Sequence, residues 1–582
     1  MNRYNHTALF HRFLTATVLI LATAGASFAQ QKIDPTVEVE KEFDGKMTNI
    51  VKGALNSSIP DSLTSFNLDF NYTIFDKPYK DLYEFTPLPS ARIQSAVQEK
   101  YPVLLAKAGL GFPLNPFAAI AFEPRLKGGN SLSLKASYDG YYGDNNIACK
   151  GENGVIERVS GEKRDASNSI FGAKAGYGYR WNGGELNLGA HYSNNFYTYY
   201  GCAQENMSHK YDQLGLLFNI FSTHGPRSRA RLDYRFDIEY RNTSDKMSEE
   251  ATYAMALEGG KLAENYIKAT GALSPLNGRY NRFSIELNSE NVLYSGLKEY
   301  NYGIYEIIPQ YELTKGRLSF RAGVKLSGRY RSNDSIKGSH TYLFAKADLM
   351  LNIVRNNLWL YAAVDGGNHM NSYSQILEQN RWISPLSELR TGSTPFLIRG
   401  GFKGQAYGKL HYDVFVKYAV HKGMMQFMGH LMGPDSSLCT IDAIYSNHTE
   451  FTAGASINWK SKAFDAGTSF RYSAYSNAKN STLANGSKPY GYSPFNWFIY
   501  GRYNWRERIF IGIAADINSS TPIMPGYKAK GYCNLGIDAR YLFNRNFSLF
   551  LRGDNLLNAQ IQHIPEYLEK GVSFTAGVLV KL

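Results

Sequence analysis

The chain has 582 residues, a formal net charge of +13, and an aromatic share of 14% that includes 43 Tyr and 33 Phe alongside 53 Gly. The positive charge is dispersed: no basic helix, finger spacing or clustered basic run accompanies it, which excludes a nucleic-acid-binding module. The average hydropathy is that of a soluble protein, but a membrane barrel gives the same average, because its apolar outside cancels against its polar inside.

Residues 1–29 read as a signal peptide. Arg3 and Arg12 accompany the apolar run Phe13–Ala26, which is too short to span a bilayer as a mature helix, and Ser27-Phe28-Ala29 is a small-residue cleavage site. The mature chain is expected to begin at Gln30, where no Cys stands to carry a lipid anchor. No later stretch is apolar for long enough to cross as a helix. Export without a spanning helix, combined with membrane-type strands, points to a bacterial outer membrane.

Residues 30–101 do not read as barrel wall. They hold the extended run Ile33–Val39, an alternating piece at Phe66, Leu68, Phe70, Tyr72 and Ile74, and a stretch with Pro78, Pro87 and Pro89. This segment is expected in the periplasm or in the lumen.

From Pro102 to Leu582 the pattern has a period of two. Leu318, Phe320, Ala322, Val324 and Leu326 alternate with Ser319, Arg321, Gly323 and Lys325; Phe451, Ala453, Ala455, Ile457 and Trp459 alternate with Thr452, Gly454, Ser456 and Asn458. Ten short polar connections punctuate it, at 127–130, 181–184, 223–226, 274–278, 314–317, 355–357, 407–409, 460–462, 505–508 and 544–546. Most connections between them are longer, at about 142–167, 201–208, 243–262, 368–395, 422–440, 477–494, 519–531 and 559–570. Short turns on one rim and long loops on the other are the habit of outer-membrane barrels. The expected fold is all-β, a transmembrane antiparallel β-barrel of about 22 strands over residues 102–582, with no helical interlude. The apolar last strand, Val572 to Leu582, is expected to pair with the first, since closure removes an exposed edge.

The polar faces of these strands nominate lumen residues: Arg321, Lys325, Lys346, Asp348, Arg399, Lys403, Asp413, Lys417, Arg471, Asp538, Arg540, Arg552 and Asp554. Their mixed signs suit bracing ladders, and their basic excess suits anionic solutes. No Gly-x-Ser-x-Gly elbow is present, and His411, His421, His430 and His448 have no fixed catalytic partner, so the chain reads as a non-enzyme. Cys149, Cys202, Cys439 and Cys533 lack metal-ligand spacing, and no cofactor is implied. Cys149 and Cys202 both fall in outer loops one hairpin apart and are a candidate disulfide; Cys439 and Cys533 are left free.

The run Leu551-Arg552-Gly553-Asp554-Asn555-Leu556-Leu557-Asn558 and the terminal strand after it resemble the ending of TonB-dependent receptor barrels. Val364–Asn368, Thr394–Gly404 and the start Ile33–Val39 resemble plug-poor members of that group from Bacteroidetes. The resemblance implies transport through an outer-membrane barrel in contact with lipid. It also implies TonB as a partner, reached by strand addition through Thr36, Val37, Glu38 and Val39. The chain departs from the family in length: about seventy residues precede the wall, too few for a complete plug. A passive porin-like channel, or an accessory subunit that holds a periplasmic or outer-membrane partner, are the alternatives. An unplugged barrel of this width would leak, so loops or residues 30–101 are expected to occlude it.

Overall fold

The computed structural model describes residues 102–201, 207–223, 232–254, 261–278, 280–298, 300–333, 337–355, 357–429, 440–478 and 487–582. Twenty-two strands form one antiparallel sheet, each pairing with its neighbours in sequence. The sheet closes where the first strand, Leu104–Phe112, pairs with the last, Ser573–Lys581, in the register Ala108 to Val578. No wall strand is left as an edge.

Alternation separates the two faces. Val324 and Leu326, Val414 and Val416, Ile511 and Ile513, and Leu549 and Leu551 stand exposed on the outside. Exposed apolar side chains in unbroken rows around a closed sheet are the mark of a wall facing hydrocarbon. Near the short turns the outer face carries Trp459, Phe464, Trp505 and Phe543, also exposed, as an aromatic girdle. Tyr407 and Gly408 turn with φ of 54° and 63°, the left-handed pair that joins twisted hairpin strands without splaying them.

All ten turn positions named from sequence lie at or beside strand junctions, though 224–226 and Asn356 are outside the described residues. One is displaced. The strand Leu262–Asn277 runs through the expected turn at 274–278, with a register shift between Leu273 and Leu276. Pro275, which lacks an N–H, sits inside that shift, so the ladder bulges there instead of ending. The turn proper closes where Gly278 N–H donates to Asn281 O at 2.7 Å.

Two expectations are corrected at the outer rim. Helical interludes do exist: Glu249–Ala254 and Tyr373–Gln379 are short helices within loops. Several strands also run further outward than polarity indicated, with Asp233–Met247 and Leu410–Gly429 extending into the expected loops. Above the membrane both faces of a strand are polar or covered, so alternation loses its contrast there. The outer connections at 113–116, 297–299 and 334–336 are short.

Candidate gate at the outer mouth

The loop that joins Leu358–His369 to Gly392–Ala406 does not stand up into solvent. It folds across the outer mouth, and its helix Tyr373–Gln379 starts with a capping box in which Ser372 and Gln375 satisfy each other's backbone N–H groups, both at 3.3 Å. Tyr373, Ile376, Leu377, Ile383 and Leu389 of this loop are buried against Tyr197, Tyr211, Tyr266, Tyr294 and Tyr302 of the wall. Fully burying an apolar side chain of this size contributes about 1.5–3 kcal/mol.

The wall residues beneath the lid occupy the lumen face. On Asp233–Met247 the exposed Phe236 marks the outside, which places Thr243 and Asp245 inside; on Leu262–Asn277 the exposed Leu273 does the same for Glu264 and Tyr266. Cross-strand register then lays Ser193, Gln213, Thr243, Glu264 and Tyr294 in one row over five strands. Glu264 accepts the backbone N–H of Tyr373 at 2.5 Å and that of Ser374 at 3.1 Å, one on each oxygen. Asp245 accepts the Tyr373 hydroxyl at 3.0 Å and also contacts His209, whose other ring nitrogen meets the Tyr197 hydroxyl. Both carboxylates are almost fully buried, and for Glu264 a donor on each oxygen offsets the desolvation that burial imposes.

The lid is fastened elsewhere too. Lys298, in the connection at 297–299, donates to the Ser387 carbonyl at 2.6 Å and lies over the rings of Tyr294 and Tyr373 at 5.2 and 5.6 Å. Burial pushes its pKa down to about 7 despite the opposing fields of Glu264, Asp245, Asp442 and Glu388. Arg241 pairs with Glu378 at 3.1 Å and Arg331 with Glu388 at 2.6 Å. Ile441 N–H donates to the Trp382 carbonyl, and Ser384 N–H to the Ile441 carbonyl, at 3.0 and 2.8 Å. Trp382 stacks on Tyr567 of the last outer loop, 3.9 Å between ring centres and 7° from parallel. The lid thus touches both sides of the mouth.

A second apolar knot joins other outer loops. The hairpin Asp144–Lys150 with Ile156–Asp165 packs Ala148 and Ile156 on Ile523, Met524 and Ala529 of a neighbouring loop and on Leu568.

The lumen residues nominated from sequence sit on the face opposite the exposed apolar rows, and the fold brings several of them together. Arg321 lies between Glu312 at 3.5 Å and Asp348 at 3.8 Å. Lys325 pairs with Asp365, Lys346 with Glu286, and Lys417 with Glu450. Arg399 faces Asp413 at 3.8 Å and lies over Phe415, while Asp413 also accepts the Tyr361 hydroxyl. Lys403 lies over the Tyr361 ring and Arg540 over Phe510. Arg552 grips Asp554 through two nitrogens at 2.9 and 2.8 Å. Arg471 has no ion pair among the described residues, and Asp538 packs against Gly512. Most of these pairs are half exposed and contribute about 0–1 kcal/mol each. Bracing fits that magnitude.

Cys149, on the outer hairpin, and Cys533 are both free thiols. Cys202, Cys439 and the run Thr36–Val39 fall outside the described residues. Sequence reasoning missed the gate itself. Its one local signal was Ser372-x-x-Gln375 followed by Ile376 and Leu377, a helix start inside an expected loop.

No family model matches the chain, and no curated protein matches it by sequence. Solved structures do match in shape. The FrpB iron transporter from Neisseria meningitidis (F3-3 variant) aligns with a TM-score of 0.64 and 10% identity, covering 83% of this chain and 82% of that one. The copper transporter OprC gives 0.63 and 10% over the same shares. The ferric-catecholate import receptor Fiu from K12 E. coli gives 0.59 and 9%, again over 83% and 82%. At these identities the likeness is one of fold. Together with the closed sheet and its apolar exterior, it makes the chain a multi-pass β-barrel of the outer membrane.

Proposed function

We propose that this barrel carries a solute across the outer membrane in the manner of TonB-dependent receptors, without a complete plug domain, and that the loop at 370–391 is its outer gate. The observation that carries this reading is the lid: a barrel of 22 strands whose mouth is crossed by one loop fastened to both sides. A passive channel keeps its mouth open, so the closed mouth weighs against that alternative. The transporters and import receptor that share the fold support the same direction. Residues 30–101 serve as a reduced stopper from the periplasmic side, Thr36, Val37, Glu38 and Val39 offer the strand by which TonB would engage, and the type is the plug-poor one of Bacteroidetes.

Single-channel conductance in a planar bilayer tests this. The mature protein is expected to be silent, and a version with residues 370–391 replaced by a short Gly-Ser linker is expected to conduct. Strong conductance from the intact protein would establish a passive channel instead. Silence from the linker version, from a version lacking residues 30–101 and from the double deletion would leave only a role in holding partners.

A further inference from the structure

The seam where the lid packs on the wall holds a primary amine, the chain's own. Lys298 is 5% exposed, the acceptor of its Nζ is the Ser387 carbonyl at 2.6 Å, and Tyr294 from the wall and Tyr373 from the lid present their ring faces to it at 5.2 and 5.6 Å. Ring faces and a carbonyl are what an ammonium group needs when water is removed, and the fields of Glu264 and Asp245 add to them. The lysine reaches this place from a connection of three residues, 297–299, and not from the wall or the lid. Its head can therefore leave while Tyr294, Tyr373 and Ser387 stay where they are.

Further along the row, on the strands one and two beyond that of Glu264, the wall has unused polar capacity. Gln213 Nε2 and Thr243 Oγ1 are buried without a hydrogen-bond partner, and both lie in the same register row as Glu264. Buried polar atoms left unmatched are unfavourable unless another group supplies the partner.

We propose that this cage is a binding site for a primary amine on the transported solute, and that Lys298 is a tethered stand-in that occupies it when no solute is bound. The proposal rests on the transport reading for its purpose, though not for its chemistry. Exchange of one amine for another leaves the charge of the seam unchanged, so the desolvation already borne by Lys298 is not borne twice. The remainder of the solute meets Gln213 and Thr243. A solute with an amine thereby keeps the lid fastened over itself while it frees the 297–299 connection.

Chemical rescue tests the site without requiring transport. Lys298→Ala removes three methylenes and the amine, a vacancy the size of n-propylamine. The purified variant is expected to melt at a lower temperature than the parent, and n-propylamine is expected to raise its midpoint saturably, as a ligand of the folded state does. The isosteric alcohol n-propanol should not. In a bilayer the variant should open about tenfold more often, the value of one charged hydrogen bond, and n-propylamine should reverse this. Where Lys298→Ala fails to fold, Lys298→Gly in the lid-replaced barrel serves as the control for stability, and Lys298→Met, which keeps the stem, reports opening alone. An equal response to amine and alcohol, or none to either, overturns the amine site. Rescue of melting in a protein that never conducts upholds the site and overturns transport; conductance that ignores n-propylamine does the reverse.

Discussion

The carboxylate of Glu264 on the wall accepts the backbone N–H of Tyr373 on the lid at 2.5 Å, and its second oxygen takes the next N–H, from Ser374, at 3.1 Å. One side chain thus satisfies two donors at the start of a helix that has no preceding turn to do so. The strand holding Glu264 is paired on both edges by its neighbours, so the lid is tied to the hydrogen-bonded wall itself.

Glu264→Ala leaves the Ser374 N–H buried and unmatched, at a cost of about 1–3 kcal/mol where water cannot reach it, and leaves the Tyr373 N–H with the Tyr294 hydroxyl at 3.2 Å. We expect the lid to open at least tenfold more often in a bilayer, with the barrel's own melting little changed. Glu264→Gln, which keeps one acceptor oxygen, should fall between. An Ala variant as silent as the parent would show that the lid does not depend on this tie.

Lys298 gives the lid a pH dependence whose sign can be worked out. In the closed state its pKa is pushed from the ordinary lysine value down to about 7; when released it returns to that ordinary value. Between these limits the open state binds more protons, so closure gains stability as pH rises from about 7 toward 10, and below 7 this group adds no slope. Opening recorded from pH 6 to pH 10 should fall more steeply in the parent than in Lys298→Met. Identical slopes would remove Lys298 from the account.

Trp382 and Tyr567 stack across the mouth from two different loops. An aromatic pair of this kind contributes about 0.5–1.5 kcal/mol beyond the area it buries. Tyr567→Ala should increase protease cutting within 380–391 on intact cells, and Tyr567→Phe should not. If neither variant changes cutting, the stack is incidental to closure.

Closure of the wall is exposed to one small residue. A side chain on Gly577 would begin 2.4 Å from the Ala108 carbonyl and 2.5 Å from the Phe550 ring, at the pairing of the last strand with the first. Gly577→Val is expected to abolish the heat-modifiable compact form on gels, whereas Ala576→Val, on the outer face of the same strand, is expected to keep it. A compact Gly577→Val protein would mean the seam tolerates a bulge.

The wall was legible because its physics is local. Leu549 and Leu551 against Arg552 and Asp554 already state which side meets lipid, and turns such as Asn544–Asn546 are written in a few polar residues. The pairing of Arg321 with Asp348 followed once neighbouring strands were in register. The gate was not legible, because nothing near Glu264 in the chain indicates that Tyr373, 109 residues away, will meet it. That contact is a product of closure, which brings loops from distant strands over one opening. The displaced turn after Pro275 was misread for a smaller reason: proline and asparagine mark bulges as readily as ends.

The strands that carry the lid's wall contacts, Ser208–Ser222, Asp233–Met247 and Leu262–Asn277, have 15, 15 and 16 residues. At a tilt near 40° such strands rise about 38 Å, while the apolar band of an outer-membrane barrel is about 25 Å tall. Asp245 and Glu264 stand two positions from the outer ends of their strands, on the part of the palisade that clears the lipid headgroups. The lid therefore meets the wall in water. Bilayer thickness, lateral pressure and acyl-chain composition act on the lower wall, so a gate built on these contacts would keep one threshold for opening from one membrane to another.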